Sequence, residues 1–217
     1  MRTRQLVLIV AGGLLVPPVA ESASPDSPVQ VTARLYNAAH VPQVVKDAAL
    51  RSATDALLAG GVDLRWKDCD IADSCAMVPA HGELVIRLVR SPGQGAARTN
   101  QSATQTKPIV APTLSGPRTS AVVLGHAFID TREQSGVLAT VFVDHVELIA
   151  ALSETDAALL LGRAMAHEVG HLLLGTNAHS IRGLMRAQWT AADFRRHAST
   201  DWALTPEDAA AIRRRLQ

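Results

Sequence analysis

The part of the sequence whose residue types could do chemistry is the pentapeptide His167-Glu168-Val169-Gly170-His171. On an α-helix, residues four positions apart project from one face, so His167 and His171 can offer two imidazole nitrogens to a single ion. Glu168 stands beside the first of these histidines. This spacing predicts a zinc site on a helix, with the glutamate placed as a base.

Each residue type in the motif suits zinc-dependent hydrolysis. A catalytic zinc takes three protein ligands, and water keeps the fourth position. The ion lowers the pKa of that water from about 15.7 towards 7, and a nearby carboxylate passes its proton to the leaving group. We therefore predict that Glu168 is the general base. The frequencies of His and Glu in this chain give about 0.01 chance occurrences of the motif, so accident is a poor explanation.

The third zinc ligand should follow the helix. Gly175 allows the chain to turn back, and His179 comes four residues later, within reach of an extended segment. The segment HEVGHLLLGTNAHSIRGLM resembles the signature of the metzincins, zinc endopeptidases with HExxHxxGxxH followed by a turn that carries a methionine. It departs in spacing, because Gly175 is one residue late, His179 is two residues late, and Asn177 stands where the family has its third histidine.

The resemblance implies a function and a layout. It implies a secreted zinc endopeptidase whose ion is held by His167, His171 and His179, with Met185 beneath the metal. It also implies a strand, a helix and several further strands before the active-site helix. In such domains an edge strand binds an extended substrate by β-augmentation, and Ala121 to Asp130 is the candidate.

Three alternatives stay open from the sequence. The chain could be a non-catalytic zinc-binding protein on the same fold, although a structural zinc prefers four protein ligands and needs no base. It could be a zinc hydrolase of non-peptide amides, since the metal chemistry does not specify what is attached to the carbonyl. The third ligand could also be acidic, from Asp193 or Glu207, whereas Asn177 offers only a weak oxygen ligand.

Hydrophobic periodicity predicts the elements that must position the motif. Period-two alternation and short apolar runs predict five strands, at 29–35, 62–66, 83–89, 121–129 and 137–143. A broad apolar face predicts a helix over 43–59, and 146–152 is also predicted to be helical. This order favours an α/β or α+β class. The resemblance to the metzincins implies the α+β form, a metzincin-like single domain with a mixed twisted sheet, a helix in the N-terminal half, a long active-site helix and a C-terminal helix.

Capping signals predict where the two later helices begin. Ser153-Glu154-Thr155-Asp156 has the spacing of a capping box, which predicts the active-site helix over 154–174. Thr205-Pro206-Glu207-Asp208 predicts the start of the C-terminal helix. Residues 91–120 are rich in Pro, Ser and Thr and show no period, so we predict a long flexible loop there.

The N-terminus predicts export. Residues 1–22 have a basic start, an apolar run and small residues before the expected cleavage site, as in a secretory signal peptide. The catalytic domain would then be residues 23–217, secreted or periplasmic, with no stable membrane insertion after cleavage. An oxidising compartment favours a disulfide between the only two cysteines, Cys69 and Cys75.

Composition and charge leave a local site as the source of any function. The 217 residues are 47% hydrophobic, which is enough for one packed domain. The formal net charge is +1, and removing 1–22 takes away two Arg and one Glu, which makes it zero. A chain with this charge has no strong positive electrostatic potential of the kind that attracts nucleic acid. We expect a peptide or protein substrate and a monomeric protein.

Overall fold

A computed structural model describes residues 27–70, 75, 78–91, 110–111, 122–195 and 199–216. The predicted signal segment 1–22 lies outside this part, as does nearly all of the predicted loop 91–120. Seven strands are described: β1 Val29–Asn37, β2 Val62–Asp68, β3 Leu84–Val89, β4 Val110–Ala111, β5 Val122–Val123, β6 Gly125–Asp130 and β7 Ser135–Phe142. Five helices accompany them: α1 Gln43–Leu58, α2 Val143–Ser153, α3 Ala157–Leu174, α4 Ala191–Arg195 and α5 Pro206–Leu216.

The main sheet is mixed and has the strand order β2-β1-β3-β7-β6. Its first four strands run parallel, and β6 pairs antiparallel with β7 at one edge. β4 and β5 form a separate antiparallel two-stranded ribbon. Val110 and Ala111, which belong to the predicted loop, are therefore in a short strand. The predicted α+β class with a mixed sheet is confirmed.

The alternation in β1 explains how one face of the sheet is covered. Val31, Ala33 and Leu35 are buried, as period two requires of residues on one face. α1 is the crossover from β1 to its parallel neighbour β2. α1 packs against β2 and α3, and α3 packs against β6 and β7, so these two helices cover the sheet.

A close approach between α1 and α3 depends on Gly162. A Cβ at this position would clash with the backbone oxygen of Ala49 and with the side chain of Ser52. The absence of a side chain lets the two helices come together there, and α3 is held deep in the molecule as a result.

The predicted start of the long helix at Glu154 is wrong. α2 extends over the whole of Val143–Ser153, and Glu154 ends it in the left-handed conformation with φ 53°. α3 begins only at Ala157, where the side chain of Asp156 accepts a hydrogen bond from Leu159 N. Asp156 is therefore the N-cap of α3 instead of the last member of a box that begins at Ser153.

The other boundaries differ less from the predictions. β1 and β2 each run two residues further than predicted, and the predicted strand 121–129 is divided at Leu124 into β5 and β6. The C-terminal helix is confirmed, with reciprocal hydrogen bonds between Thr205 and Asp208 at its start. α4 was not predicted.

Cys69 and Cys75 are joined by a disulfide, with their Cα atoms 5.4 Å apart. This confirms the predicted bridge, and a disulfide fits a protein that folds in an oxidising compartment. Within the described part of the chain, no helix is both long enough and apolar enough to cross a membrane.

Candidate metal centre

The predicted site residues lie on the most deeply buried element of the described chain. α3 is buried continuously from Leu160 to Leu173. His167 and His171 are 0% exposed and Glu168 is 1% exposed. Polar side chains are buried in this way only when hydrogen bonds or a bound ion compensate them, so their partners decide what the site can do.

Both helical histidines donate a hydrogen bond to a backbone carbonyl through Nδ1. His167 Nδ1 lies 2.8 Å from Leu184 O, and His171 Nδ1 lies 2.8 Å from Thr176 O. Because a carbonyl oxygen only accepts, each Nδ1 must carry the hydrogen, and each neutral ring then has its lone pair on Nε2. Such an arrangement fixes the orientation of a metal-binding imidazole.

The two Nε2 atoms face each other at a distance of 2.9 Å. Two lone pairs at this distance repel each other unless a cation or a proton lies between them. His179 completes the group: its ring centroid is 5.3 Å from that of His167 and 4.8 Å from that of His171. One ligand atom from each of the three residues lies within 4.8 Å of the others. Three histidines predicted from sequence are therefore brought together, and they can hold a metal ion.

The segment after α3 is folded back so that His179 reaches the helix. Gly175 ends α3 with φ 61°, a left-handed conformation that glycine adopts at little cost. Ser180 N then donates to Met185 O at 2.9 Å, and Leu184 N donates to Ala203 O at 2.8 Å. These bonds hold the chain that carries both His179 and the carbonyl of Leu184.

Met185 packs against α3 at the level of the histidines. It is 0% exposed, and its sulfur occupies the space that a Cβ at Gly170 would need. Gly170 lies between His167 and His171 on the same helix. The methionine therefore lies against the turn of α3 that carries the two helical imidazoles.

Glu168 has a buried carboxyl group. Its Oε2 has no hydrogen-bond partner, and burial raises its pKa well above the usual value. The other oxygen, Oε1, lies against Gly125 in β6, where a Cβ would come within 2.9 Å of it. The Glu168 side chain thus lies against β6 at Gly125, where the strand has no side chain to displace it.

Burial also lowers the pKa values of the histidines. The pKa of His167 is held well below its usual value, and the neighbouring ring of His171 acts in the same direction. The pKa of His171 is lowered to about 4 by burial, although its bond to Thr176 opposes this. The rings are neutral at pH 7 as a consequence, and neutral imidazole is the form that binds metals.

The acidic alternatives for a third ligand have other partners. Asp193 is buried, accepts hydrogen bonds from Thr190 N and Oγ1 at 2.7 Å, and pairs with Arg186 at 3.1 Å. Glu207 has a side chain that is 73% exposed and lies near Arg182. Of the described His, Cys, Asp and Glu residues, only the three histidines form a group that can hold a metal ion.

Several parts of the site were missed from the sequence. The carbonyls of Leu184 and Thr176 carry no side-chain signal. Gly125 lies 43 positions before Glu168 in the printed sequence, on a different element. Trp189 lies outside the spacing pattern of the motif, and its ring contacts His167 edge-on with centroids 5.5 Å apart. Only the backbone fold brings these groups to the motif.

Comparisons with known proteins do not extend this picture. No protein-family model matches the chain, and a search of curated proteins finds no matching relative. The interpretation of the site therefore depends on its own geometry.

Proposed function

We propose that the chain is an exported zinc-dependent endopeptidase of the metzincin type. His167, His171 and His179 hold the ion, and Glu168 is the general base. The observation that supports this most strongly is the pair of Nε2 atoms 2.9 Å apart, with Nδ1 of each ring committed to a carbonyl. This arrangement is costly in an apolar interior unless a cation or a proton lies between the two nitrogens, and a bound cation also engages His179.

The donor set favours zinc among divalent ions. Imidazole nitrogens suit zinc, copper, iron and nickel, whereas calcium and magnesium prefer oxygen ligands. Three histidines, with no fourth His, Cys, Asp or Glu ligand among the described residues, match the usual catalytic zinc site. When bound, zinc would polarise a substrate carbonyl and acidify a water molecule.

Glu168 is suited to proton transfer. Its carboxyl is buried and Oε2 has no protein partner. A nearby cation favours the ionised form of such a carboxyl and offsets the effect of burial on its pKa. Glu168 would take a proton from the attacking water and deliver it to the nitrogen of the departing amine, as the C–N bond breaks.

β6 is the candidate for substrate binding. It is the last strand of the main sheet, and its Gly125 lies directly against the Glu168 carboxyl. A peptide that adds to this edge as a further strand would pass close to the general base. His126 and Phe128 alternate with the buried Gly125 and Ala127, so their side chains are on the other face of the strand.

The proposed export depends on two observations. Residues 1–22 have the pattern of a signal peptide, and the Cys69–Cys75 disulfide is stable outside the reducing cytosol. A signal-bearing precursor should therefore be processed near residue 22 and recovered from the periplasm or the medium. N-terminal sequencing of that product tests this part of the proposal.

The substitution Glu168→Gln tests the hydrolytic role. We expect hydrolysis of a broad peptide library to fall roughly 10²- to 10⁴-fold, because the base is lost while the three imidazoles are kept. Zinc content, measured by elemental analysis, should be unchanged. Glu147→Gln is the matched control, since Glu147 is an exposed residue of α2 paired with Arg90.

Two outcomes would contradict the proposal. Full activity in Glu168→Gln would show that Glu168 is not the base. Zinc binding by the unaltered chain with no chelator-sensitive cleavage of any peptide would favour a non-catalytic zinc-binding protein. Cleavage confined to small amides would favour a zinc hydrolase of non-peptide amides.

A further inference from the structure

A second buried basic group lies on α3, outside the histidine cluster. Arg163 is one turn before His167 and is 4% exposed. Its Nη1 is buried and has no hydrogen-bond partner. No carboxylate of the described residues forms an ion pair with it, and burial lowers its pKa to about 10. A guanidinium remains charged at such a value, so this is a buried cation without a counter-charge.

A cavity of about 320 Å³ lies between α1 and α3, and Arg163 is part of its lining. Its polar lining comes from Arg51, Ser52 and Asp55 of α1 together with Arg163. Ser52 is already committed, because its hydroxyl donates to Leu159 O. Two arginines and one aspartate leave one excess positive charge, which suits a ligand with a single negative charge.

The rest of the lining is apolar. Ala48, Ala56 and Leu159 form part of the wall. The indole of Trp202 closes one side, with its ring centroid 3.9 Å from Cζ of Arg163. The ring covers a face of the guanidinium, so the free N–H groups are in the guanidinium plane, where a carboxylate can accept two parallel hydrogen bonds.

We propose that this Arg163 cavity binds the carboxylate of a small organic acid with an apolar body. The carboxylate pairs with Arg163, Arg51 attracts it at the entrance, and the apolar body lies against Leu159 and the indole. The volume is at the lower end of small-molecule sites, which limits the ligand to a compact acid or to the last residue of a peptide. This inference does not depend on the proposed zinc chemistry.

The Arg163 cavity is separate from the histidine cluster. No residue of the cluster lines it. Trp202 contacts Trp189 with centroids 4.9 Å apart, and Trp189 in turn contacts His167. Because no cluster residue lines the cavity and two indole rings separate it from His167, binding should be the same in zinc-loaded and chelator-treated protein, which distinguishes the cavity from a product site at the metal.

Calorimetric titration of the full-length chain tests the proposal with N-acetyl-L-leucine as the probe. N-acetyl-L-leucinamide has the same shape without the charge and is the matched ligand control. We expect saturable binding of the acid with a dissociation constant of about 1 mM or lower, and binding of the amide at least about tenfold weaker. A short acetylated peptide ending in leucine, free or amidated at its C-terminus, distinguishes a peptide terminus from a free acid.

Two variants locate the binding. Arg163→Met should weaken binding of the acid at least about tenfold while keeping or raising the melting temperature, because it replaces an unpaired buried charge by an apolar side chain of similar size. Arg51→Gln, at an exposed position, should weaken binding a few-fold without affecting folding. Arg65→Gln removes an exposed arginine on β2 and is its control.

Several results would overturn the inference. These are no binding of the acid up to about 10 mM, equal binding of acid and amide, binding that requires zinc, and unchanged binding in Arg163→Met. If Arg163→Met does not fold, unchanged binding in Arg51→Gln and in Ala48→Phe, which would fill the cavity, has the same consequence.

Discussion

Two buried polar regions of this chain satisfy their groups in different ways. The first is the histidine cluster of His167, His171 and His179 on and after α3. The second, which we call the ion-pair cluster, consists of two sets of ion pairs that share no residue: Arg34 and Lys67 pair with Glu83, and Lys46 pairs with Asp68 and Asp70.

Within the ion-pair cluster, each buried cation faces carboxylates. Lys46, with a side chain 3% exposed, lies 2.7 Å from Asp68 and 3.0 Å from Asp70. Burial acts to lower its pKa, and the hydrogen bonds that it donates to these two carboxylates raise it more. Arg34, equally buried, donates through Nε to Glu83 at 2.7 Å. This cluster is complete without any ligand.

In the histidine cluster, by contrast, three basic nitrogens face one another. The Nδ1 hydrogens of His167 and His171 are satisfied by backbone carbonyls, and the Nε2 lone pairs meet at 2.9 Å. Neutral imidazoles whose lone pairs face one another need a cation or a proton between them. The comparison indicates that burial alone does not distinguish a self-sufficient set of ion pairs from a group that can hold a metal ion, whereas the identity of the partners does.

The largest expected effect is loss of metal from the histidine cluster. His171→Ala removes one of three ligands, so zinc content after dialysis should fall from about one ion per chain to near zero. Addition of zinc should then no longer raise the melting temperature, as it should for the unaltered chain. His81→Ala, at an exposed position, is the matched control. Full occupancy in His171→Ala would contradict the assigned ligand set.

The next effect concerns stability and should leave zinc unchanged. Replacing both Asp68 and Asp70 by Asn leaves the ammonium of Lys46 buried without a counter-charge. The free energy of unfolding should fall by about 2–4 kcal/mol, as measured by urea denaturation. Asp63→Asn, which removes a carboxylate paired with the exposed Arg65, should cost less than about 1 kcal/mol. An equal loss of unfolding free energy in the two variants would show that the carboxylates of the ion-pair cluster are no more important than an exposed ion pair.

A smaller effect is expected from Gly125→Ala. The added Cβ would press on the Glu168 carboxyl and on the backbone oxygen of Thr140, so the base should shift while the imidazoles stay in place. We expect peptide hydrolysis to fall about tenfold, equivalent to about 1.4 kcal/mol, with zinc content unchanged. Gly82→Ala, where no atom lies within 4 Å of the added Cβ, is the control. Unchanged activity would show that the contact of β6 with Glu168 does not position the general base.

The smallest effect is expected from Lys46→Met. The carboxylates left behind are 21% and 37% exposed and can be hydrated, so the free energy of unfolding at neutral pH should change by less than about 1 kcal/mol. Burial acts to raise the pKa of Asp70, and its hydrogen bonds from Lys46 and the backbone of Asn37 lower it overall.

That lowered pKa fixes the sign of a pH effect. The Lys46–Asp70 interaction stabilises the protein above the usual carboxyl pKa of about 3.9 and is lost as the pH falls below it. Acid unfolding of Lys46→Met, followed by circular dichroism, should therefore be less steep than that of the unaltered chain. An unchanged acid transition would show that Lys46 does not hold the carboxylates.

The sequence predicts local features well and long-range ones poorly. Strands such as β1 and β3, and helices α1 and α5, follow from period and capping because those signals are contained within each element. The pentapeptide 167–171 predicts the two helical histidines because helical geometry alone places them on one face. The proximity of His179 could be expected from the reach of a short segment after Gly175.

The failures have a common cause, which is competition between local signals or contact between distant ones. Ser153 and Asp156 have capping-box spacing, but Glu154 adopts a left-handed conformation and Asp156 caps α3 by itself. The close contact of Gly125 with Glu168 depends on strand order. The ion pairs of Arg34 likewise join β1 to a residue 49 positions away, which periodicity does not reveal.

X-ray absorption at the zinc edge of the zinc-loaded chain tests the central claim most directly. Three imidazole nitrogens and one oxygen ligand should surround the ion at about 2.0–2.1 Å, and the spectrum of His179→Ala recorded in excess zinc should show only two imidazoles. An ion with four protein ligands, an identical spectrum in His179→Ala, or no stoichiometric zinc uptake by the unaltered chain would contradict the account.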